Sequence, residues 1–137
     1  MNFRISTDGN TKDINEIKSM LEAYNTSKGA KADKTPIGVY LEDDDSKKLA
    51  GLTGNAFGNW FFIDFLFVDE ALRGQGMGKK IIALAEEEAR RQGCKYAFVS
   101  TNAFQAPEFY IKLGYKVAFT IKEFPVNGQR FYYTKEL

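Results

Sequence analysis

Apolar and polar positions follow two periods along the chain. "NFRIS", residues 2–6, alternates in the manner of an opening strand. "DINEIKSMLEAYN" then places Ile14, Ile17, Leu21 and Tyr24 at the spacing of one helix face, with Asp13 and Glu16 in capping-box positions. A polar loop from Thr26 to Pro36 separates that helix from "IGVYLE" and "LAGLTGNAF", two strands joined through the acidic turn "DDDSKK". Gly58 and Asn59 predict a tight turn into a third strand, Trp60 to Val68, which completes an antiparallel meander. From Gly76 to Gln92 the period is helical: Met77, Ile81, Leu84, Ala85 and Ala89 mark an apolar stripe, with Lys79, Lys80, Glu86, Glu87, Arg90 and Arg91 outside it. Glu86 with Arg90 and Glu87 with Arg91 stand four apart, a spacing that supports a helix. Gly93 suits the left-handed residue that ends this helix, and "KYAFVS" follows at once as a strand. "APEFYIKLG" predicts a short helix with Pro107 near its start and Gly114 past its end, and "YKVAFTI" and "QRFYYTKEL" predict two closing strands.

Strand, helix and strand in immediate succession form a βαβ unit, whose second strand runs parallel to the first through a right-handed crossover. The expected fold is therefore α/β (α+β): a mixed, mostly antiparallel sheet with a central parallel βαβ unit, flanked by helices. A length of 137 residues with 44% hydrophobic content suits one compact domain, and no repeat or low-complexity tract interrupts it.

Composition removes several kinds of chemistry. A formal charge of +1, with both signs mixed along the chain, provides no field to collect nucleic acid or an anionic membrane. With no histidine and a single cysteine, Cys94, neither a zinc site nor another metal centre is expected, and a serine or cysteine nucleophile would lack its usual imidazole. Acid–base work falls to carboxylates, tyrosines, lysines or water. No apolar run has the length of a membrane span and "MNFRISTDGN" lacks the apolar centre of a signal peptide, so a reducing cytoplasm is the expected location.

"RGQGMG", Arg73 to Gly78, sets three glycines where a helix begins. Each costs about 1 kcal/mol relative to alanine inside a helix, so their presence needs a reason. The first turn of a helix carries unpaired N–H groups and the positive end of the macrodipole, and bare glycines let a diphosphate approach them. An ordinary glycine-rich turn is the competing reading. A Walker loop would need a glycine where Arg73 stands and a hydroxyl where Lys80 stands, and a dinucleotide fingerprint would need a glycine at Lys79. Neither fits.

The segment from Trp60 to Tyr115 closely resembles the GNAT superfamily of N-acetyltransferases. Its Arg/Gln-x-x-Gly-x-Gly/Ala signature is met by Arg73, Gly74, Gln75, Gly76, Met77 and Gly78, and "FYIKLGY" is similar to the family's Phe-Tyr-x-x-x-Gly-Phe/Tyr element. The resemblance implies one N-acetyltransferase domain over residues 1–137, with acetyl-coenzyme A as co-substrate and an amine as acceptor. It implies a pyrophosphate on the backbone N–H groups from Arg73 to Lys79, and a pantetheine arm along the strand edge at Leu66, Phe67 and Val68. Tyr110 matches the family position beside the thioester sulfur and is the expected general acid and a cofactor contact. The asparagine common in the family seven residues before that tyrosine is here Ala103, so its role is not carried over.

Asp64 is the lone charge inside "WFFIDFLFV" and shares an alternating face with Phe62, Leu66 and Val68. Desolvation there would raise its basicity and make it the general base; a solvated or ion-paired position on the sheet is the equal alternative. Glu42, Asp69 and Glu108 are weaker candidates. Lys79, followed by Lys80 and Lys112, could meet outer phosphates, and a main-chain N–H near Phe67 or Val68 could hold the oxyanion. Trp60, Phe61, Phe62, Phe57 and Phe104 are expected mostly in the core. The expected activity is direct acetyl transfer in a ternary complex, with a non-catalytic acyl-coenzyme A sensor as the alternative. The acceptor stays open, because the variable segments Thr26 to Pro36 and Lys122 to Arg130 would shape its pocket. Exposed closing strands could pair two chains into a homodimer.

Overall fold

The computed structural model describes residues 1–30 and 33–137. The chain divides into two compact units, Met1–Asp33 and Lys34–Leu137. In the first, residues 2–6 form no strand, contrary to the alternation read from "NFRIS". Helix α1 spans Thr11–Ser27, starting two residues before the expected cap. Asn10 caps it, its side chain accepting from the N–H groups of Lys12 at 2.9 Å and Asp13 at 3.3 Å. Asp13 instead accepts from Arg4 at 2.8 Å across an exposed ion pair. The loop expected from Thr26 is thus helical at its start, and its residues 31 and 32 lie outside the described residues.

In the second unit, β1 (Thr35–Glu42), β2 (Lys48–Phe57) and β3 (Trp60–Val68) form the expected meander, and Gly58, at φ +58°, turns the chain into β3. Helix α2 (Met77–Arg91) leads through Gly93, at φ +91°, into β4 (Tyr96–Asn102), which runs parallel to β3. Helix α3 (Pro107–Lys112) precedes β5 (Lys116–Lys122) and β6 (Gln129–Glu136). The sheet order is β1-β2-β3-β4-β6-β5, because β6 returns antiparallel to β4 and leaves β5 at the edge. This is the mixed sheet around a parallel βαβ unit that the hydrophobic pattern predicts.

One sheet face is packed by α2, and the core lies between them, with Leu52, Phe61, Ile82, Tyr115 and Tyr133 its largest fully buried side chains. On α2 the buried residues are Ile81, Ile82, Ala85, Glu86 and Ala89. Two expectations about this helix are overturned: Leu84 is exposed, and Glu86, placed outside the stripe, is only 5% exposed. Glu86 accepts from the Tyr115 hydroxyl at 2.8 Å and from Lys135 Nζ at 2.9 and 3.0 Å, so long-range partners draw a carboxylate inward and it pairs with Lys135 in place of Arg90. Glu87 does pair with Arg91, at 3.1 Å, and Arg91 also reaches Glu88 at 2.7 Å. Of the aromatics expected in the core, only Phe61 is fully buried; Phe104 and Phe62 are exposed, and Trp60 and Phe57 are partly exposed.

Candidate active site

Strands β3 and β4 pair only at Trp60–Tyr96, Phe61–Ala97 and Phe62–Phe98. The reason lies on the other side of β3. Gly54 of β2 pairs with Ile63 and Thr53 with Phe65, so Asp64 is an extra, unpaired residue: a β-bulge. A Cβ at position 54 would collide with the Phe62 carbonyl oxygen and sit 2.9 Å from the Phe61 ring, so the bulge needs glycine opposite it. A bulge bends its strand, and β3 leaves β4 immediately beyond Phe62. From Ile63 onward the β4-facing edge of β3 has no ladder partner among the described residues.

A cleft of about 1280 Å³ occupies this wedge. Asp64, Leu66, Phe67, Val68, Arg73, Gly74, Gly76, Met77, Gly78, Lys79 and Tyr110 all line it, so nearly every residue singled out in the sequence comes together. Gln75 does not; its side-chain amide donates to the Ala71 carbonyl at 3.3 Å. Lys112 and Phe104 also line the cleft, whereas Lys80, Glu42, Asp69 and Glu108 do not. Asp69 is engaged instead in accepting from the Ala71 N–H at 2.9 Å, capping the short 3-10 turn Glu70–Leu72.

The glycines divide their work. Gly76 is the N-cap of α2 at φ +77°, a conformation that a side chain would strain. Gly78 is favoured by packing: a Cβ there would lie 3.1 and 3.2 Å from the Phe109 ring of α3, which would have to give by a few tenths of an ångström. The first ladder bond of α2 runs from the Lys80 N–H to the Gly76 carbonyl at 3.1 Å, so the amides of Met77, Gly78 and Lys79 precede the ladder at the positive end of the helix. Arg73 folds back, its Nε donating to the Val68 carbonyl at 3.0 Å and its guanidinium lying 6.0 Å from the Phe67 ring centroid, which ties the loop to the end of β3. Charged residues lining the cleft are Arg73, Lys79, Lys112 and Arg130 against the single carboxylate of Asp64, an excess of positive charge suited to anionic groups.

Tyr110 is buried among Phe109, Tyr115 and Tyr133, with ring centroids 5.1, 5.8 and 5.8 Å away. Burial, with the neighbouring Tyr133 a lesser cause, pushes its phenol up to about 12. Every fully buried side-chain polar atom among the described residues has a partner, and the Tyr110 hydroxyl bonds to none of the protein's groups, so its oxygen keeps some exposure, and Tyr110 is among the residues lining the cleft. For Asp64 the structure matches the solvated alternative. It is exposed, with the Asn55 amide donating to it at 3.1 Å. The bulge also breaks the alternation: Phe61 and Ile63 point into the core, then Leu66 and Val68 do, so Asp64 shares a side with Phe62 but not with Leu66 or Val68. Gln105 and Arg130 are among the cleft residues that escaped the sequence reading. Gln105 Oε1 accepts from the Asn102 N–H at 2.9 Å and from Thr101 Oγ1 at 3.3 Å, and Arg130 binds Asn102 and Ser100.

Among the described residues no helix is long and apolar enough to cross a membrane, and no three metal-ligating side chains cluster. A family model described as an acetyltransferase (GNAT) domain matches residues 34–117. An acetyltransferase of Agrobacterium fabrum, Atu2258, is 36% identical over 115 residues, 84% of each chain. A crystal structure described as an acetyltransferase from Agrobacterium tumefaciens superposes with a TM-score of 0.93 at 31% identity, covering all of both chains. A streptothricin acetyltransferase of Bacillus anthracis, solved with acetyl coenzyme A, shares the fold with a TM-score of 0.66 at 18% identity, over 74% of this chain and 62% of that one.

Proposed function

This chain belongs to the GNAT family and is an acyltransferase, and on that premise we propose that it moves an acetyl group from acetyl-coenzyme A to a primary amine by direct attack within the wedge between β3 and β4. The observation that carries the reading is the wedge itself, which unites a free strand edge, unpaired helix-terminal amides and a tyrosine in its lining. The diphosphate would accept from the amides of Met77, Gly78 and Lys79, with Lys79 and Lys112 near its charge. The amide arm of the coenzyme would lie along Leu66, Phe67 and Val68 as an added strand, and a main-chain N–H there would stabilise the oxyanion.

The amine nitrogen attacks the thioester carbonyl carbon, the C–S bond breaks, and the sulfur leaves with the electron pair. Tyr110 supplies the proton. A phenol at about 12 stays protonated throughout the neutral range, and transfer to a thiolate with an ordinary thiol pKa of about 8.5 is uphill by ~5 kcal/mol. The proton therefore moves late, after a hydrogen bond has already stabilised the charge growing on sulfur. The nitrogen sheds its own proton to water. Asp64, exposed and solvated, draws the ammonium form of the amine to the site, where it sheds one proton to water before its neutral nitrogen attacks.

A panel of diverse amines incubated with acetyl-coenzyme A, with free thiol release as readout, tests this. Amine-dependent thiol release supports transfer; coenzyme binding without any release across the panel would favour an acyl-coenzyme A sensor.

A further inference from the structure

Arg130, at the start of β6, is a half-buried cation lining the cleft, and no carboxylate lies within ion-pairing distance of it among the described residues. Its two terminal nitrogens donate to neutral oxygens, Asn102 Oδ1 at 3.2 Å and Ser100 Oγ at 2.6 Å. The guanidinium also lies over Phe124 and Tyr132, 5.4 and 5.8 Å from their centroids. The fork is thus fixed in orientation while its charge stays uncompensated. These bonds leave Nε–H and one N–H on each terminal nitrogen without a protein acceptor.

The side of the sheet matters. Along β4, Val99 and Thr101 are buried toward the face that α2 packs, so Ser100 and Asn102 project to the opposite face. On β6, buried Tyr133 alternates with half-buried Tyr132, which puts Arg130 on that same opposite face. Asp64, flanked by inward Ile63, also points that way. The glycine loop opens α2 on the other side, so the charge of Arg130 is not part of the diphosphate cradle. We infer that Arg130 is a specificity residue that recognises an acidic group, a carboxylate or a phosphonate, on the acceptor, and that the preferred acceptors are amines that also carry an acid. Asp64 and Arg130 then offer complementary charges to the two ends of a zwitterion. The inference rests on the transferase reading for its kinetic form, but the anion site can be examined without turnover.

The probes are ω-amino carboxylates of two to six carbons, the matching ω-amino amides, and ω-aminoalkylphosphonates. With the full chain and acetyl-coenzyme A, the acids should exceed their amides by roughly 10- to 100-fold in kcat/KM, the range for a hydrogen bond to a charged group. Comparison of the carboxylate and phosphonate arms identifies the acid. Arg130→Gln should remove the preference while leaving the dissociation constant of coenzyme A within about twofold, and Arg130→Lys should keep part of it. Equal rates for acids and amides in the unaltered protein would overturn the inference, even if Arg130→Gln failed to fold. So would an equal loss for acids and amides in Arg130→Gln, or a matching loss of coenzyme affinity. Calorimetric titration of the same acids into the coenzyme A complex separates the two readings. Binding that Arg130→Gln weakens tenfold, without thiol release, would sustain the anion site and sink the transferase; no acid binding or reacting would sink the anion site.

Discussion

Replacing Glu86 by Gln tests whether the carboxylate beneath α2 holds that helix to the sheet. The side chain is 6% exposed, accepts from Lys135 at 2.9 and 3.0 Å and from the Tyr115 hydroxyl at 2.8 Å, and Lys135 is itself only 20% exposed. Glutamine keeps the volume but removes the charge that compensates the ammonium. Breaking a buried pair from one side costs about 3–5 kcal/mol, and the partial exposure of Lys135 puts this case near 3. For a chain of this length that corresponds to a fall in Tm of about 10 °C. Urea unfolding followed by the fluorescence of Trp60 measures it. Lys135→Met in the Glu86→Gln background should recover part of the loss, a coupling of about 1–3 kcal/mol, since the stranded ammonium is gone. Glu87→Gln is the control: its pair with Arg91 is exposed on both sides, and its loss should stay within about 0.5 kcal/mol. A cost below about 1 kcal/mol for Glu86→Gln, or strict additivity in the double variant, would refute the reasoning.

Gly76→Asp should weaken coenzyme A binding by at least roughly tenfold, because it brings a carboxylate to the anion site; Gly76→Asn, which tolerates the left-handed conformation better, should lose much less in the same calorimetric titration. Tyr110→Phe should lower kcat by about 100-fold while coenzyme affinity changes little, and an equal loss of both in single-turnover and binding measurements would make its role positional. Alkaline stability should fall with the buried phenols. Tyr110, raised from 10 to about 12 by burial, keeps its proton in the folded state while the unfolded chain loses it, so its contribution is complete below pH 10 and about 2–3 kcal/mol is lost by pH 12. Tyr115 and Tyr133 are raised in the same direction, chiefly by burial, and steepen the decline; unfolding curves at pH 9 and 11 of equal midpoint would contradict this. Asp64→Asn should raise KM for the amine several-fold with kcat nearly unchanged, and a collapse of kcat in steady-state assays would restore it as the base.

Local signals carried most of the fold. The bounds of β3, the left-handed Gly93 after α2 and the Pro107 start of α3 all follow from patterns contained within a few residues. What escaped depends on partners far along the chain. Glu86 is drawn inside by Tyr115 and Lys135, 29 and 49 residues away, which no helical wheel registers. The Asp64 bulge is a property of register against Gly54, and without it simple alternation puts Asp64 on the wrong side of its neighbours. Arg130 stands both at the end of a variable segment and in the predicted strand "QRFYYTKEL", with no sign of the cleft; its place there follows from pairing with Asn102 across the sheet. The alternating "NFRIS" forms no strand, and Asn10, outside the expected capping box, starts α1. The glycine motif was legible as a helix start, but its division between a left-handed cap at Gly76 and close packing of Gly78 on Phe109 needed the tertiary fold.

The account depends on a coenzyme diphosphate resting on the amides that precede the Lys80 ladder bond. Two-dimensional amide NMR of the labelled chain, titrated with acetyl-coenzyme A, reads those groups one by one. The largest shifts should fall on Met77, Gly78 and Lys79, with smaller ones along Leu66 to Val68 and none along β5. Saturable binding that leaves the Met77 to Lys79 amides unmoved would contradict it.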